Sequence, residues 1–164
     1  MGLFDRLTGG RKKRALAGGL LLRVQEPYLR FHNELICDVA APEYGVAFED
    51  AWMRFIRCRL DTPLALNDLP AGDLDMLGRV AARQSAAVRE SFDEIRAAME
   101  LVLCNWPYRG LVRDCAKHCL GRLRRWDELG DPVSDDEPLY RTLLFFDIDM
   151  ACSDICGELG KIAA

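Results

Sequence analysis

The sequence has few of the residues and motifs that usually indicate a function or a cellular compartment. It holds two histidines and only four lysines, the lysines against eighteen arginines. No hydrophobic run approaches the ~20 residues that span a bilayer, because Gly18–Leu22 is short and two aspartates interrupt Leu143–Met150. The first residues lack the pattern of a secretory signal. We therefore expect a cytoplasmic protein without a transmembrane segment.

Motifs that carry catalysis are also missing. We find no Glu-x-x-His pair for a di-iron bundle, no His-Glu-x-x-His zinc motif, no Gly-x-Ser-x-Gly elbow and no glycine-rich phosphate loop. The two histidines have simpler interpretations, His32 as a core or boundary residue and His118 as an exposed one. These absences predict a protein that is not an enzyme and has no cofactor.

Net charge and cysteine content indicate which class of partner and which cellular compartment to expect. The net charge of −4 does not favour nucleic acid, so we expect no nucleic-acid partner. The seven cysteines are an odd number in a chain without a signal, which is typical of reduced thiols in a cytosol.

Helical periodicity is the strongest signal that the sequence does contain. Between about Leu74 and Cys104, apolar residues recur at steps of three and four, which is the period of one helical face. The stripe comprises Leu74, Leu77, Ala81, Ser85, Val88, Phe92, Ile95, Met99, Val102 and Trp106. Asp73 suits the N-cap of this helix, and Pro107 marks its end. The pattern predicts one long central helix.

Shorter stripes predict four further helices. They span about Pro27 to Ala41, Phe48 to Leu60, Tyr108 to Leu129 and Leu139 to Ile162. The inward positions of the helix after Tyr108 are Leu111, Val112, Cys115, Cys119, Leu123 and Trp126. Short connections favour antiparallel neighbours, so the predicted fold is all-α, an antiparallel helical bundle of about five helices. We expect residues 1–14 to be a flexible basic segment and residues 15–164 to be a single bundle domain.

Two Cys-x3-Cys pairs form the sharpest chemical pattern. A spacing of four places Cys115 with Cys119, and Cys152 with Cys156, on one face of each helix. Counting outward from a loop centre near residue 134 puts both pairs at nearly the same level of an antiparallel hairpin. Four thiols there would bind zinc or copper(I), or act as a redox pair. The competing interpretation is that they pack in the core as small hydrophobes.

The twin spacing of these cysteines resembles that of the small mitochondrial import chaperones, in which such pairs cross-link a helical hairpin. That family joins its pairs by a shorter segment than residues 120–151, and the chain is not assigned to it.

Charges on the last two predicted helices have two interpretations. The earlier helix carries what we call the basic strip: Arg109, Arg113, Lys117 and Arg124. The later helix carries four acids: Asp147, Asp149, Asp154 and Glu158. Either the strip forms ion pairs with these acids across the hairpin, or it binds an acidic partner protein.

The first fourteen residues combine an apolar cluster with a basic one. Leu3, Phe4 and Leu7 share one side of a short amphipathic turn, and Arg11, Lys12, Lys13 and Arg14 follow. The Gly-Leu-Phe-Asp opening resembles amphipathic membrane-active peptides and the N-terminal tails of some bacterial peripheral proteins. An apolar wedge beside basic residues predicts weak attachment to a membrane surface. The alternative is a disordered start whose charges aid solubility.

The sequence as a whole favours a non-enzymatic helical protein-interaction module, which would be an adaptor, a regulator or an inhibitor of a partner protein. The long apolar stripe suits a homodimer seam as well as a core. Trp52, Trp106 and Trp126 are large enough to anchor an interface, although all three also suit the core. The alternative function is a thiol-based metal-binding or redox bundle.

Overall fold

The computed structural model describes residues 3–33, 50–51, 53–54, 70–73, 76, 88–129 and 138–164. Four long helices occupy most of this part of the chain: α1 Leu3–Asn33, α2 Val88–Asn105, α3 Leu111–Leu129 and α4 Pro138–Ala163. The predicted all-α helical bundle is confirmed. Most of the helix predicted at 48–60, and most of the first half of the predicted central helix, lie outside the described residues. None of the helices just named is long and apolar enough to cross a membrane.

One aromatic side chain from each helix meets the others at a single level of the core. Phe31 lies near the end of α1, Phe92 near the start of α2, Trp126 near the end of α3 and Phe145 near the start of α4. Neighbouring rings in this set lie 4.7–6.2 Å apart between centroids. Because starts and ends alternate around the ring, the four helices run up, down, up and down, each packed on two neighbours.

The rest of the core extends along the bundle axis from these four aromatic rings. Its fully buried side chains include Ile95 and Met99 of α2, Leu123 of α3 and Ile155 of α4. In the described half of the predicted central stripe, Phe92, Ile95, Met99, Val102 and Trp106 are all buried, as the periodicity predicts. Trp106 and Trp126 are core residues, whereas Trp52 lies outside the described side chains.

Helix α1 begins far earlier than the sequence predicts. We expected a helix starting at Pro27, but Pro27 lies inside α1. The residues before it form a stripe at steps of three and four, with Ala17, Leu20 and Val24 buried together with Phe31. Burial of that stripe against α4 and α2 offsets the ~3 kcal/mol that an interior proline costs. The backbone of residues 3–14 is continuous with this helix, and the domain boundary at residue 14 stays a prediction.

The junction between α2 and α3 is defined by hydrogen bonds. Helix α2 ends at Asn105, just before Pro107, as predicted. Gly110 has a φ of +109°, which disfavours any residue with a Cβ, and its carbonyl accepts the N–H groups of Arg113 and Asp114. Gly110 therefore caps α3, whose first residue, Leu111, lies three residues after the predicted start.

Two smaller predictions are wrong. Leu111 was expected to face inward, but it is 49% exposed because it lies on the first turn of α3, at the end of the bundle. Asp73 was expected to cap the central helix, but residues 71–73 are themselves helical. The Asp73 carboxylate instead accepts two hydrogen bonds from Arg54, at 2.6 and 2.9 Å. The predicted bounds of α4, and Pro138 in its first turn, are confirmed.

Candidate functional site

A groove between α1 and α2 has a mostly apolar floor and opens to solvent. It has a volume of about 430 Å³, within the range of ligand-sized clefts. Pro27, Ala97, Ala98 and Leu101 form its apolar floor, and charged side chains of both helices form its rim. The small alanines keep the floor low, so that a side chain from outside has room to enter.

An ion pair closes one end of this groove. Nη1 of Arg30 donates to both carboxylate oxygens of Glu94, at 2.6 and 2.7 Å, and Glu26 lies 3.8 Å from the same guanidinium. Both members of the Arg30–Glu94 pair are more than a third exposed, so the pair contributes about 0–1 kcal/mol to stability. Its main effect is to hold α1 and α2 in register along the groove.

Pro27 alters the backbone at the groove wall. Proline has no N–H, so the carbonyl of Arg23 lacks the donor that residue i+4 normally supplies in a helix. Arg23 and Pro27 both line the groove. A molecule bound there would find an acceptor on the backbone of α1 in addition to the apolar floor.

Two exposed leucines lie on the solvent face of α1 beside the groove, outside its lining, and a third lies on its floor. Leu22 is 71% exposed and Leu29 is 44% exposed, and the two are two helical turns apart on α1. Leu101, on the floor contributed by α2, is 38% exposed. Large apolar side chains clustered next to an apolar groove are typical of a protein-binding surface.

A polar cluster joins α1 to α4 on the opposite side of α1. Nδ1 of His32 lies 2.8 Å from Oδ1 of Asp149, whose side chain is almost fully buried. The hydrogen bond with Asp149 raises the pKa of His32 above its ordinary value. His32 is thus the boundary histidine that the sequence predicts, and its partner is one of the four acids of α4.

Tyr28 completes this cluster. Its ring lies 5.7 Å from that of His32, and its hydroxyl hydrogen-bonds the side chain of Ser153. Burial, followed by the negative charge of Asp149, raises the pKa of Tyr28 to about 12. The cluster therefore satisfies polar groups within an otherwise apolar interface, and this accounts for an aspartate in so apolar a helix.

The structure brings two of the four predicted thiols together. Cys119 and Cys152 are fully buried and share a hydrogen bond, which together with burial raises the pKa of Cys152 well above its usual range. Cys115 and Cys156 are half-buried, and burial raises the pKa of each, for Cys156 to about 11. In the described part of the chain, no group of three or more histidine, cysteine or acidic side chains is arranged to hold a metal ion. The predicted four-thiol set is therefore a two-thiol contact within the core.

The basic strip does not act as one unit. Nη1 of Arg113 donates to the carbonyls of Leu103 and Trp106, at 2.9 and 2.8 Å, and so satisfies the end of α2. Arg109 and Lys117 are exposed and line a polar depression of about 650 Å³ beside it. Arg124 is exposed near the other end of α3.

The ion pairs across the α3–α4 hairpin use other cations than the strip. Nε of Arg122 lies 2.9 Å from Oδ2 of Asp147, and Asp149 pairs with His32 of α1. Glu158 lies 3.7 Å from Lys161 on its own helix. The prediction that charges join the hairpin holds for Asp147, but its partner is one that the sequence analysis passed over.

The basic residues before the bundle are placed individually. Nζ of Lys13 lies 4.8 Å from the ring centroid of Tyr108 and 5.9 Å from that of Trp106, so it makes a cation–π contact with the α2–α3 junction. Arg11, Lys12 and Arg14 are exposed. Residues 3, 4 and 7 lie in the helical backbone of α1.

The α1–α2 groove is the feature that sequence reasoning missed. The sequence signal for this groove is the apolar stripe from Ala17 to Phe31. A helix predicted from that stripe would begin before Pro27 and would place Leu22 and Leu29 on its exposed face. No protein-family model, curated protein or solved structure matches this chain.

Proposed function

We propose that this chain is a non-enzymatic helical interaction module that receives an apolar helix of a partner protein in the α1–α2 groove. The apolar floor with exposed Leu101, together with exposed Leu22 and Leu29 beside it on α1, carries the proposal. A helix laid in a groove with apolar anchors every third or fourth residue is a recurrent mode of peptide recognition. As an adaptor, regulator or inhibitor, the module would need no chemistry of its own.

The energetics of the groove support a helix as its occupant. Burying a fully exposed leucine side chain contributes about 1.5–3 kcal/mol. Leu22, which is 71% exposed, offers most of that, and Leu29 and Leu101, which are already more than half buried, offer a smaller part each, so that together they offset some of the cost of association. The carbonyl of Arg23 offers a hydrogen-bond acceptor, and the mixed charges of the rim favour a polar border on the partner. A reducing compartment such as the cytoplasm suits the free thiols of Cys104, Cys115, Cys119, Cys152 and Cys156.

Site-directed photocrosslinking in the cells that express the protein tests this proposal. A photoreactive residue is placed at Leu22, Leu29 or Leu101, and control positions are Arg124 and Glu128 on α3, which are also exposed. We expect one partner protein to be crosslinked from the groove positions and not from the controls. Equal crosslinking from all positions, or none from the groove, would overturn the proposal.

The affinity for the crosslinked partner is then measured with purified proteins. The double variant Leu22→Asp, Leu29→Asp should weaken the Kd at least about tenfold, because two apolar contacts are lost. Leu111→Asp is the matched control, since Leu111 is 49% exposed and lies on α3, which does not line the groove, and it should leave the Kd unchanged. If the crosslinked species contains only two copies of this chain, the occupant is a second copy and the partner-protein proposal is wrong.

A further inference from the structure

The fold gathers the lysines of this chain at one end of the bundle. We call this the basic end: it comprises the N-terminal part of α1, the α2–α3 junction, the first turns of α3 and the end of α4. The four lysines of the sequence all lie there: Lys12, Lys13, Lys117 and Lys161. Arg11, Arg14 and Arg109 lie there as well. In the sequence these residues belong to three separate segments, and only the antiparallel bundle brings them together.

The contrast with the rest of the molecule is large. The whole chain carries a net charge of −4, so a basic end implies an excess of acid elsewhere. The acids at the basic end are Asp5, Glu100, Asp114, Asp154 and Glu158, and Glu158 lies 3.7 Å from Lys161. Such a separation of charge orients a protein toward an anionic surface.

Helix α1 projects beyond the bundle at the basic end. Gly18 lies opposite Ala163, the last residue of α4, with 3.9 Å between a Cβ at Gly18 and that of Ala163. Lys13 contacts the α2–α3 junction, and a Cβ at Gly9 or Gly10 would meet no atom within 4 Å. The ten residues 3–12 add about 15 Å of helix beyond Lys13.

The projecting segment adds three apolar residues to the basic end. Leu3, Phe4 and Leu7 occur at a spacing that groups them on one side of a helix, and the backbone here is helical. The cation–π contact of Lys13 with Tyr108 fixes the segment to the body of the bundle. The helical backbone of residues 3–12 is thus continuous with the exposed cations and the bundle end.

We propose that the basic end docks on the surface of an anionic lipid bilayer, with Leu3, Phe4 and Leu7 inserted at the headgroup level and the surrounding cations on lipid phosphates. An amphipathic helix with neighbouring basic residues has the chemistry for such peripheral binding. A polyanion such as nucleic acid would satisfy the cations but would leave the apolar residues without a partner. This surface is separate from the groove, so the two proposals fail independently.

Vesicle flotation with the full chain tests the proposal. The vesicles contain phosphatidylcholine and phosphatidylglycerol at about three to one, and phosphatidylcholine alone is the neutral control. The triple variant Arg11→Glu, Lys12→Glu, Arg14→Glu should lower partitioning onto the anionic vesicles by at least about tenfold, and added salt should do the same to the unaltered chain. The double variant Arg23→Glu, Arg124→Glu alters exposed cations outside the basic end and should bind as the unaltered chain does.

A second variant measures the contribution of the apolar residues separately from that of the cations. Phe4→Asp should reduce binding to the anionic vesicles at least about fivefold, because it removes an inserted apolar side chain and leaves the cations in place. The fraction of binding that persists at high salt should fall most. Circular dichroism and thermal unfolding verify that each variant is folded. The proposal is overturned if the unaltered chain ignores anionic vesicles, if it binds neutral ones equally well, or if the control variant loses binding to the same extent as the triple variant. Tight binding to a single-stranded oligonucleotide without binding to vesicles would assign the surface to another polyanion and also overturn it.

Discussion

Nδ1 of His32 lies 2.8 Å from Oδ1 of Asp149, and this contact joins the first helix of the described chain to the last. The two residues are far apart in sequence, and Asp149 sits in an apolar helix where an unpaired carboxylate would be costly. The pair thus contributes to specificity of packing as well as to stability.

The pH dependence of stability should report this pair. The pKa of His32 is raised above its ordinary value of 6.5, so folded His32 holds its proton more tightly than the unfolded chain does. The stabilisation is complete below about pH 6.5 and declines as the pH rises through the raised pKa. Because the His32 side chain is about one-third exposed, we expect a loss below about 1 kcal/mol.

Urea unfolding at several pH values between about 6 and 9 measures this loss. Asp149→Asn keeps the shape of the pair but removes the charge, so it should flatten the dependence and lower the NMR-measured pKa of His32. Equal pH slopes for the two proteins would contradict the assignment.

Arg113 should prove structural although it belongs to the basic strip. Arg113→Met leaves the carbonyls of Leu103 and Trp106 without their side-chain donor, so it should lower the free energy of unfolding by about 1–3 kcal/mol. Arg109→Met and Lys117→Met are matched controls on exposed side chains and should stay within about 0.5 kcal/mol of the original protein. Chemical denaturation measures all three, and equal losses would argue against the cap.

Two glycines should respond to alanine with opposite signs. Gly110 has a φ of +109°, so Gly110→Ala should cost about 1–2 kcal/mol. Gly121 lies exposed within α3, where a Cβ meets no atom within 4 Å, so Gly121→Ala should stabilise by about 0.5–1 kcal/mol. Thermal unfolding checks the pair, and a shift of Tm in the same direction for both would refute this account of the α2–α3 junction.

The cysteines should react in the order of their exposure. Alkylation by iodoacetamide, followed site by site with mass spectrometry, should modify exposed Cys104 first and buried Cys119 and Cys152 last. The raised pKa of Cys152 slows it further, because the thiolate is the nucleophile. In urea the differences should disappear. Fast modification of Cys152 in the folded protein would show that the thiol contact opens, and would favour a redox role for the pair.

Helices α3 and α4 could be predicted because their boundaries are local. Proline and glycine flank them, and their apolar stripes are continuous. Helix α1 could not be placed in the same way, since Pro27 fits a first turn better than an interior position. What makes it an interior residue is the packing of Ala17, Leu20 and Val24 on other helices, which no local rule contains.

The partners of charged and thiol groups were harder to predict than the helices. Around the axis of α3, Arg124 lies about 160° and Lys117 about 140° from Arg122, so the face that α3 turns toward α4 decides which of them meets Asp147. Counting residues outward from the loop placed Cys119 and Cys152 at one level, and their contact agrees with that count. The same count could not tell that Cys115 and Cys156 would lie apart from it.

The order of the helices around the ring bears on how the chain folds. Helix α1 is made first, yet its most extensive packing is with α4, which is made last. During synthesis, the apolar stripe through Leu20, Val24 and Phe31 cannot pack on α4 until nearly all of the described chain has emerged. Contacts between segments so distant in sequence slow folding and prolong the exposure of apolar surface. The nascent chain should therefore depend on chaperones more than a bundle whose neighbouring helices are all consecutive in sequence.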